Sequence, residues 1–297
     1  MSYFDVHAHV QFNAYQEDAG EVIARATAKG IYMIAPSSQR STSERAVEYA
    51  GKYAGRIWAA VGLHPLHLKR MFVDPSEGEG PAFETHGEQF DHAFYQRLAK
   101  QPETVAIGEC GLDYHPRLEL THKERAYQEE VFRKQTELAL EVGKPIITHL
   151  RSGRVDGKKA SANKDALRII GEYIPRGLRG LIHCYSGNEE QAKQYMDMGF
   201  FLSFTGLITY NTQWDALLAT MPLAFVTTET DAPYLTPEPE RSKRVIGVQP
   251  QSCVRNEPTG VIRVVEHIAK LRNVAPDVIA VQTFENAKRL FGIRILG

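Results

Sequence analysis

The sequence predicts an α/β fold, a (β/α)8 TIM-type barrel, as one domain over residues 1–297. Three observations point there. Short β-branched runs alternate with longer amphipathic stretches, the pattern of repeated βα units around a parallel sheet. Eight such runs occur, and 297 residues suffice for a barrel that takes about 250. No run is followed by a glycine-rich dinucleotide fingerprint or a P-loop, so the cofactor-binding form of the competing open doubly wound sheet has no support.

Strands are expected over residues 3–7, 30–35, 57–63, 104–109, 145–149, 180–184, 200–204 and 225–230. Helical patterns fall between them at 41–53, 121–142, 164–173 and 189–198, and two more, 259–272 and 276–290, close the chain. The long helix opens with a Thr121-x-x-Glu124 capping box, which sets its start. Segment 72–91, rich in Gly, Pro and acids, is expected as a solvated surface excursion between the third strand and its helix.

Composition narrows the function. Hydrophobic residues at 43% and charged residues at 24% are ordinary for a globular enzyme and exclude a disordered or fibrous chain. Lys plus Arg number 35 against 36 Asp plus Glu, a net charge of -1. A protein held to duplex nucleic acid mainly by neutralising phosphates shows a basic excess, so any such contact here is local. The sequence contains no apolar run of about 18 residues that would span a membrane. Its start lacks the features of a signal peptide, and three cysteines do not make a disulfide framework. The expectation is a cytoplasmic enzyme without membrane association, with a monomer favoured.

The chemistry gathers at strand ends. His7-Ala8-His9 ends the first strand, and residues i and i+2 of an extended segment point the same way. Two convergent imidazoles suit a divalent metal, although such a pair alone fits two surface or hydrogen-bonded histidines equally well. The placement then recurs: Glu109 ends the fourth strand, His149 the fifth, His183 the sixth and Asp231 the eighth. In a barrel these ends converge on one mouth, where active sites sit. Four imidazoles and two carboxylates exceed the three protein ligands of one catalytic zinc. Two metals sharing a bridging carboxylate use the whole set. Glu109 is the expected bridge, since it falls in strand order between the His7/His9 and His149/His183 pairs. Asp231 is expected to bind one metal and take a proton from bound water. A hydroxide between two cations is a nucleophile at neutral pH, so the expected reaction is hydrolysis. No serine or cysteine sits in a nucleophile elbow. Cys110 and Cys184 follow Glu109 and His183 and are turned away by strand alternation, as packing residues.

The chain resembles the TatD family of metal-dependent hydrolases, within the amidohydrolase-like barrel superfamily. The resemblance runs through His7-Ala8-His9, Val61-Gly62-Leu63-His64-Pro65, Gly108-Glu109-Cys110-Gly111-Leu112-Asp113-Tyr114, His183-Cys184-Tyr185-Ser186-Gly187 and Phe204-Thr205-Gly206. It continues through Glu229-Thr230-Asp231-Ala232-Pro233-Tyr234-Leu235, Arg255-Asn256-Glu257-Pro258 and Asn286-Ala287-Lys288-Arg289-Leu290-Phe291, in family order over nearly the whole chain. It implies a dinuclear site in which His7 and His9 hold one metal, His149 and His183 the other, Glu109 bridges, and Asp231 completes the first shell. It also implies that His64 contacts substrate, that Arg151 meets a phosphate oxygen, and that the activity is a metal-dependent deoxyribonuclease. The expected substrate is single-stranded DNA cut from 3′ to 5′, with two divalent ions, Zn, Mn or Mg.

Two segments depart from the family pattern, both on connections that shape substrate access. Residues 152–163 form a longer loop carrying Arg154, Lys158 and Lys159 against Asp156 alone, and the acidic segment 72–91 is long. With Arg151, and with Arg241, Lys243, Arg244 and Arg255 after the eighth strand, these cations are read as two rims that grip a phosphate backbone; a solvated charged loop fits them equally. Tyr114, Tyr185 and Tyr234 stand beside motif residues, where bases could stack, although tyrosines near a barrel rim are more often simply packed, and Asn256 and Glu257 fit a helix start. Cys253 receives no role, and His67, His86, His92, His115, His122 and His267 fall away from strand ends and are read as mainly surface residues. Two other functions compete with a nuclease: a dinuclear hydrolase of a small amide, lactone or aminoacyl ester, such as the ester of charged tRNA, and a non-catalytic binder. The intact set of candidate ligands argues against the binder.

Overall fold

The alternating pattern closes into a ring. The computed structural model describes residues 1–73, 83–242 and 254–295. Its strands are β1 (Tyr3–Asp5), β2 (Ile31–Pro36), β3 (Ile57–Val61), β4 (Arg70–Val73), β5 (Phe83–His86), β6 (Thr104–Asp113), β7 (Ile146–Arg151), β8 (Gly153–Val155), β9 (Lys158–Ala160), β10 (Gly180–Ile182), β11 (Phe201–Phe204) and β12 (Val226–Thr228). The helices are α1 (Ala19–Ala28), α2 (Arg40–Lys52), α3 (His92–Ala99), α4 (His122–Val142), α5 (Ala162–Tyr173), α6 (Glu189–Asp197), α7 (Asp215–Thr220), α8 (Val261–Arg272) and α9 (Pro276–Phe291).

Among the described residues, eight strands pair in parallel in the order β1-β2-β3-β6-β7-β10-β11-β12, each crossover carrying one helix as parallel pairing requires. The seam between β12 and β1 is closed by main-chain bonds. Val6 N donates to Thr228 O at 3.1 Å, Asp231 N to His7 O at 2.8 Å, and His9 N to Ala232 O at 2.8 Å. The buried Asp5 carboxylate accepts from Thr230 N at 2.9 Å and Thr230 Oγ1 at 2.6 Å across the same seam.

One apolar cluster takes Phe4, Val6, Ile34, Ala60, Ala106, Ile147, Leu181 and Phe201 from seven strands around the ring. Residues contributed from so much of the circumference meet only inside it, so this is the barrel interior, and Leu290, Phe291 and Ile293 at the chain's end join it. Each of the Phe, Val, Ile and Leu side chains among them contributes about 1.5–3 kcal/mol by leaving water. A larger cluster, including Val131, Phe132, Leu138 and Ala139 of α4, packs helices on the outside.

The long helix begins as expected: Thr121 Oγ1 accepts from Glu124 N at 3.2 Å, and Glu124 Oε2 accepts from Thr121 N at 2.8 Å. Two of its buried glutamines lie two turns apart on one face. Gln128 brackets Asp113, accepting from its N at 2.9 Å and donating to its O at 3.0 Å. Gln135 does the same for Leu63 at 2.8 and 2.9 Å. Both satisfy main-chain groups near the mouth that would otherwise be buried without a partner.

Several strand limits differ from those expected. β1, β3, β10 and β12 stop two residues earlier, at Asp5, Val61, Ile182 and Thr228. β6 instead runs four residues further, to Asp113. Gly111 permits this: its φ is +139°, and a Cβ there would lie 2.1 Å from His149 O. Helices α1, α3 and α7 are additional, and both irregular excursions contain hairpins, β4 with β5 and β8 with β9. Among the described residues no helix is long and apolar enough to cross a membrane.

Candidate active site

The segments after β1, β3, β10 and β12 and the C-terminal parts of β6 and β7 deliver one polar group. A register irregularity between Ile107 and Cys110 re-aims Glu109 into the mouth, and its backbone is held by donation of Glu109 N to Ser37 O at 2.7 Å. Asp231 follows β12 with φ +55°, a left-handed conformation that is strained for a non-glycine residue and found where function demands it. Asn256 secures the turn on either side, its Nδ2 donating to Thr230 O at 3.1 Å and Tyr234 O at 2.7 Å.

The structure brings His7, His9, Glu109, His149, His183 and Asp231 together. Glu109 Oε1 lies 3.2 Å from His7 Nε2 and 3.4 Å from His9 Nε2. Asp231 Oδ1 lies 3.6 and 3.4 Å from the same two nitrogens. On the other side, Glu109 Oε2 lies 3.7 Å from His149 Nδ1 and 4.0 Å from His183 Nε2. His7 and His9 with Glu109, and His149 and His183 with Glu109, each form a group whose ligand atoms lie within 4.8 Å of one another.

The outer nitrogens explain why the inner ones are available. His9 Nδ1 is 3.0 Å from Pro36 O; a carbonyl only accepts, so Nδ1 carries the proton and Nε2 faces inward with its lone pair. His149 Nε2 lies 3.0 Å from Asp113 Oδ2, and His183 Nδ1 lies 2.8 Å from the buried Glu229 Oε1. An imidazole whose outer nitrogen meets a carbonyl or carboxylate is the arrangement of a metal-ligating histidine. Inner nitrogens and carboxylate oxygens this close are held best by a shared cation, so the donor set fits divalent metal.

The charges agree. Burial, with His183, His9 and His149 beside it, holds His7 well below the usual imidazole range and therefore neutral. Burial also opposes a charge on His183, yet Glu229, Asp231 and Glu109 outweigh it and push the pKa up to about 10. Burial works against ionisation of Asp231, but His183 and His9 prevail and keep it below its usual value. For Asp113, burial is likewise outweighed by the bond from His149. Burial raises the Glu109 carboxyl above its usual value despite His183, His9 and His149 beside it, whereas Asp231 and Asp113 are held ionised.

His64 is buried beside the group, its Nε2 3.7 Å from Glu109 Oε2. Its Nδ1 accepts from Leu66 N at 3.1 Å, which leaves the neutral ring's proton on Nε2. Arg151 is exposed at the end of β7. Arg255 is engaged elsewhere, contrary to a place at the substrate. Its guanidinium donates to Asp18 Oδ1 and Oδ2 at 2.9 and 2.5 Å and lies 4.5 Å over the Tyr15 ring. Its charge is spent on the fold, and the same holds for Arg241, 4.2 Å over the Tyr210 ring. Lys243, Arg244 and Cys253 lie outside the described residues.

Other expectations need correction. Tyr114 and Tyr185 are buried and bonded, to Asp165 Oδ2 at 2.9 Å and to Asn188 O, so neither presents a face for stacking. His67 is not a surface residue but 4% exposed, and burial near His86 holds its pKa at about 4. Asn256 and Glu257 do stand at a helix start, Glu257 preceding the 3-10 turn Pro258–Gly260 without a capping bond and pairing with Arg25 at 2.8 Å, while Asn256 also clamps the loop. Cys110 and Cys184 are unpaired thiols directed at Ile147 O and Thr205 Oγ1. The supports Asp113 and Glu229 were not singled out from sequence. Asp113 lies four residues beyond Glu109 within β6, and Glu229 lies two before Asp231 in the segment after β12.

Comparison with known proteins agrees with this geometry. Residues 4–292 match the family described as TatD related DNase. The chain is 36% identical over 293 residues to "Uncharacterized metal-dependent hydrolase YabD" of Bacillus subtilis, covering 98% of this chain and 99% of that protein. It is 30% identical over 292 residues to "3'-5' ssDNA/RNA exonuclease TatD" of Cronobacter sakazakii, covering 97% of each. The crystal structure of YJJV, a TatD homologue from Escherichia coli, shares the fold with a TM-score of 0.77 at 23% identity, over 98% of both chains.

Proposed function

The chain belongs to the TatD related DNase family and is a metal-dependent hydrolase, and from that premise we propose that it is a two-metal phosphodiesterase removing nucleotides from the 3′ end of single-stranded DNA. The observation that carries this reading is Glu109, whose two oxygens face two separate pairs of histidine nitrogens. His7, His9 and Asp231 would hold one ion and His149 and His183 the other, with Glu109 shared. Divalent ions bound there supply a water activated near neutral pH and positive charge against the attacked phosphate.

The chain's own groups do the rest. Asp231, kept ionised by His183 and His9 against the effect of burial, takes the proton of the attacking water. His64 presents its Nε2 proton to a phosphate oxygen, because Leu66 N occupies its other nitrogen. Arg151 lies two residues beyond His149 on the same strand and gives a permanent charge to the next oxygen. Imidazole-rich donors suit Zn or Mn, and Mg serves the carboxylates. The exonuclease name of a 30% identical relative supports the substrate and the polarity.

The test is hydrolysis of 3′-labelled single-stranded DNA with added Mg2+, Mn2+ or Zn2+, with Asp231→Asn as the blank. Release of mononucleotides from the labelled end, dependent on metal and absent in the variant, is expected. No release with any metal, while two ions remain bound, would overturn the nuclease reading in favour of a small amide, lactone or aminoacyl ester as substrate.

A further inference from the structure

The β8–β9 hairpin contains an electrostatic conflict. Its antiparallel register sets Arg154 directly opposite Lys159. Opposed residues of such a pair leave the same face with Cβ atoms about 4.5–5.5 Å apart, where like charges destabilise the pairing. Both side chains are exposed, as is Lys158 beside them. The hairpin's one acid is used elsewhere: Asp156 Oδ2 accepts from His122 N at 3.1 Å and lies 3.2 Å from His122 Nε2. Among the described residues, neither Arg154 nor Lys159 has a carboxylate within salt-bridge distance.

The hairpin is also fixed in place. Arg154 N donates to Tyr114 O at 2.8 Å and Asp156 N to Leu120 O at 2.7 Å. Its backbone presses so closely on the loop after β6 that a Cβ at Gly153 would lie 1.9 Å from Tyr114 O. Between hairpin and loop lies an open depression of about 490 Å3, lined by Pro116, Ser152, Arg154, Lys159 and Ser161. The hairpin follows β7 directly, so five residues separate Arg154 from His149, a reach of at most about 18 Å. Arg151 stands between them.

We propose that this hairpin grips the retained part of the substrate strand, with Arg154 and Lys159 sharing one backbone phosphate in the depression, on the 5′ side of the bond being cut. A shared anion turns the repulsion between the two cations into two charge-assisted contacts. The inference rests on the nucleic-acid reading above and adds to it a dependence on strand length.

The experiment measures binding of a fluorescent 16-nucleotide single strand and of a dinucleotide in Mg2+, both with phosphorothioate at the 3′-terminal linkages to prevent turnover, between 50 and 200 mM salt. Arg154→Glu with Lys159→Glu is expected to weaken the 16-mer at least about tenfold and to flatten its salt slope by about 0.7, the share of the one phosphate they hold. Lys29→Glu with Lys100→Glu, the same charge change at exposed sites on the opposite end of the barrel, is expected to leave both within about twofold. Arg154→Lys with Lys159→Arg is expected to restore the affinity, which separates loss of charge from loss of structure. Equal losses for the two Glu pairs, or a wild type with no preference for the longer strand, would overturn the hairpin's role even if the enzyme degrades DNA. Conversely, a wild type inert on every phosphodiester that still binds the 16-mer through Arg154 and Lys159 would leave the hairpin standing and remove the nuclease reading.

Discussion

The two halves of the metal-binding group are built differently. Around His7 and His9 the negative charge stands directly among the donors, as Glu109 and Asp231. The outer support there is a neutral carbonyl, Pro36 O, and His7 Nδ1 has no partner among the described residues. Around His149 and His183, Glu109 faces both rings and Asp231 Oδ1 also lies 3.8 Å from His183 Nε2, while the further carboxylates, Asp113 and Glu229, stand behind the imidazoles. Similar charge is thus delivered in two ways. On the proposed assignment His7, His9, Asp231 and Glu109 would serve one ion and His149, His183 and Glu109 the other, on the side where Arg151 and the β8–β9 hairpin begin. On that proposal the first half would retain its ion and position water, and the second would receive substrate.

Removing what the halves share has the largest expected effect. Glu109→Ala is expected to lose both ions and lower kcat by about three orders of magnitude or more. Elemental analysis showing two ions retained would contradict the bridge. Striking the second half alone comes next. Asp113→Asn and Glu229→Gln are expected to weaken one ion by about 10–100-fold, as loss of an outer carboxylate does, while the other titrates as in the wild type. If both ions weaken equally in calorimetric titration, the halves are not independent.

The support of Asp231 in the first half is expected to read out as stability. Asn256→Ala strips the buried Thr230 and Tyr234 carbonyls of their donor, a loss of about 2 kcal/mol, measurable by denaturant unfolding with the affinity of the His149/His183 half unchanged. The smallest expected effect is on pH. His183, opposed by burial but raised to about 10 by Glu229, Asp231 and Glu109, stabilises the metal-free fold fully below an unfolded value near about 6.5. That contribution is lost as pH rises from there through about 10. Metal-stripped protein is expected to show a falling Tm over this range, and Zn2+ addition near neutral pH to release a proton. A flat Tm profile and no proton release would remove the buried charge.

What the sequence made legible follows physical range. The ring of strands and the six polar residues at its mouth were visible because period-two and helical patterns are local and because barrel strand ends converge. The limits of β1, β6 and β12 were not, since a register shift at Glu109 and a left-handed Asp231 depend on neighbouring strands. Arg255 illustrates the same limit: its partner Asp18 lies 237 positions away, and no local pattern reveals that pairing. Tyr114 and Tyr185 are packed rather than turned to stack bases, because strand and loop context, not residue type, decides which way an aromatic ring turns. The 152–163 segment showed its charges but not their cross-strand opposition, which exists only once β8 and β9 pair.

The most direct test of the central claim is anomalous diffraction from crystals grown with Zn2+ or Mn2+. Two peaks about 3.5–4 Å apart are expected astride Glu109, one against His7, His9 and Asp231 and the other against His149 and His183. A single peak, or a pair that does not share Glu109, would contradict the account.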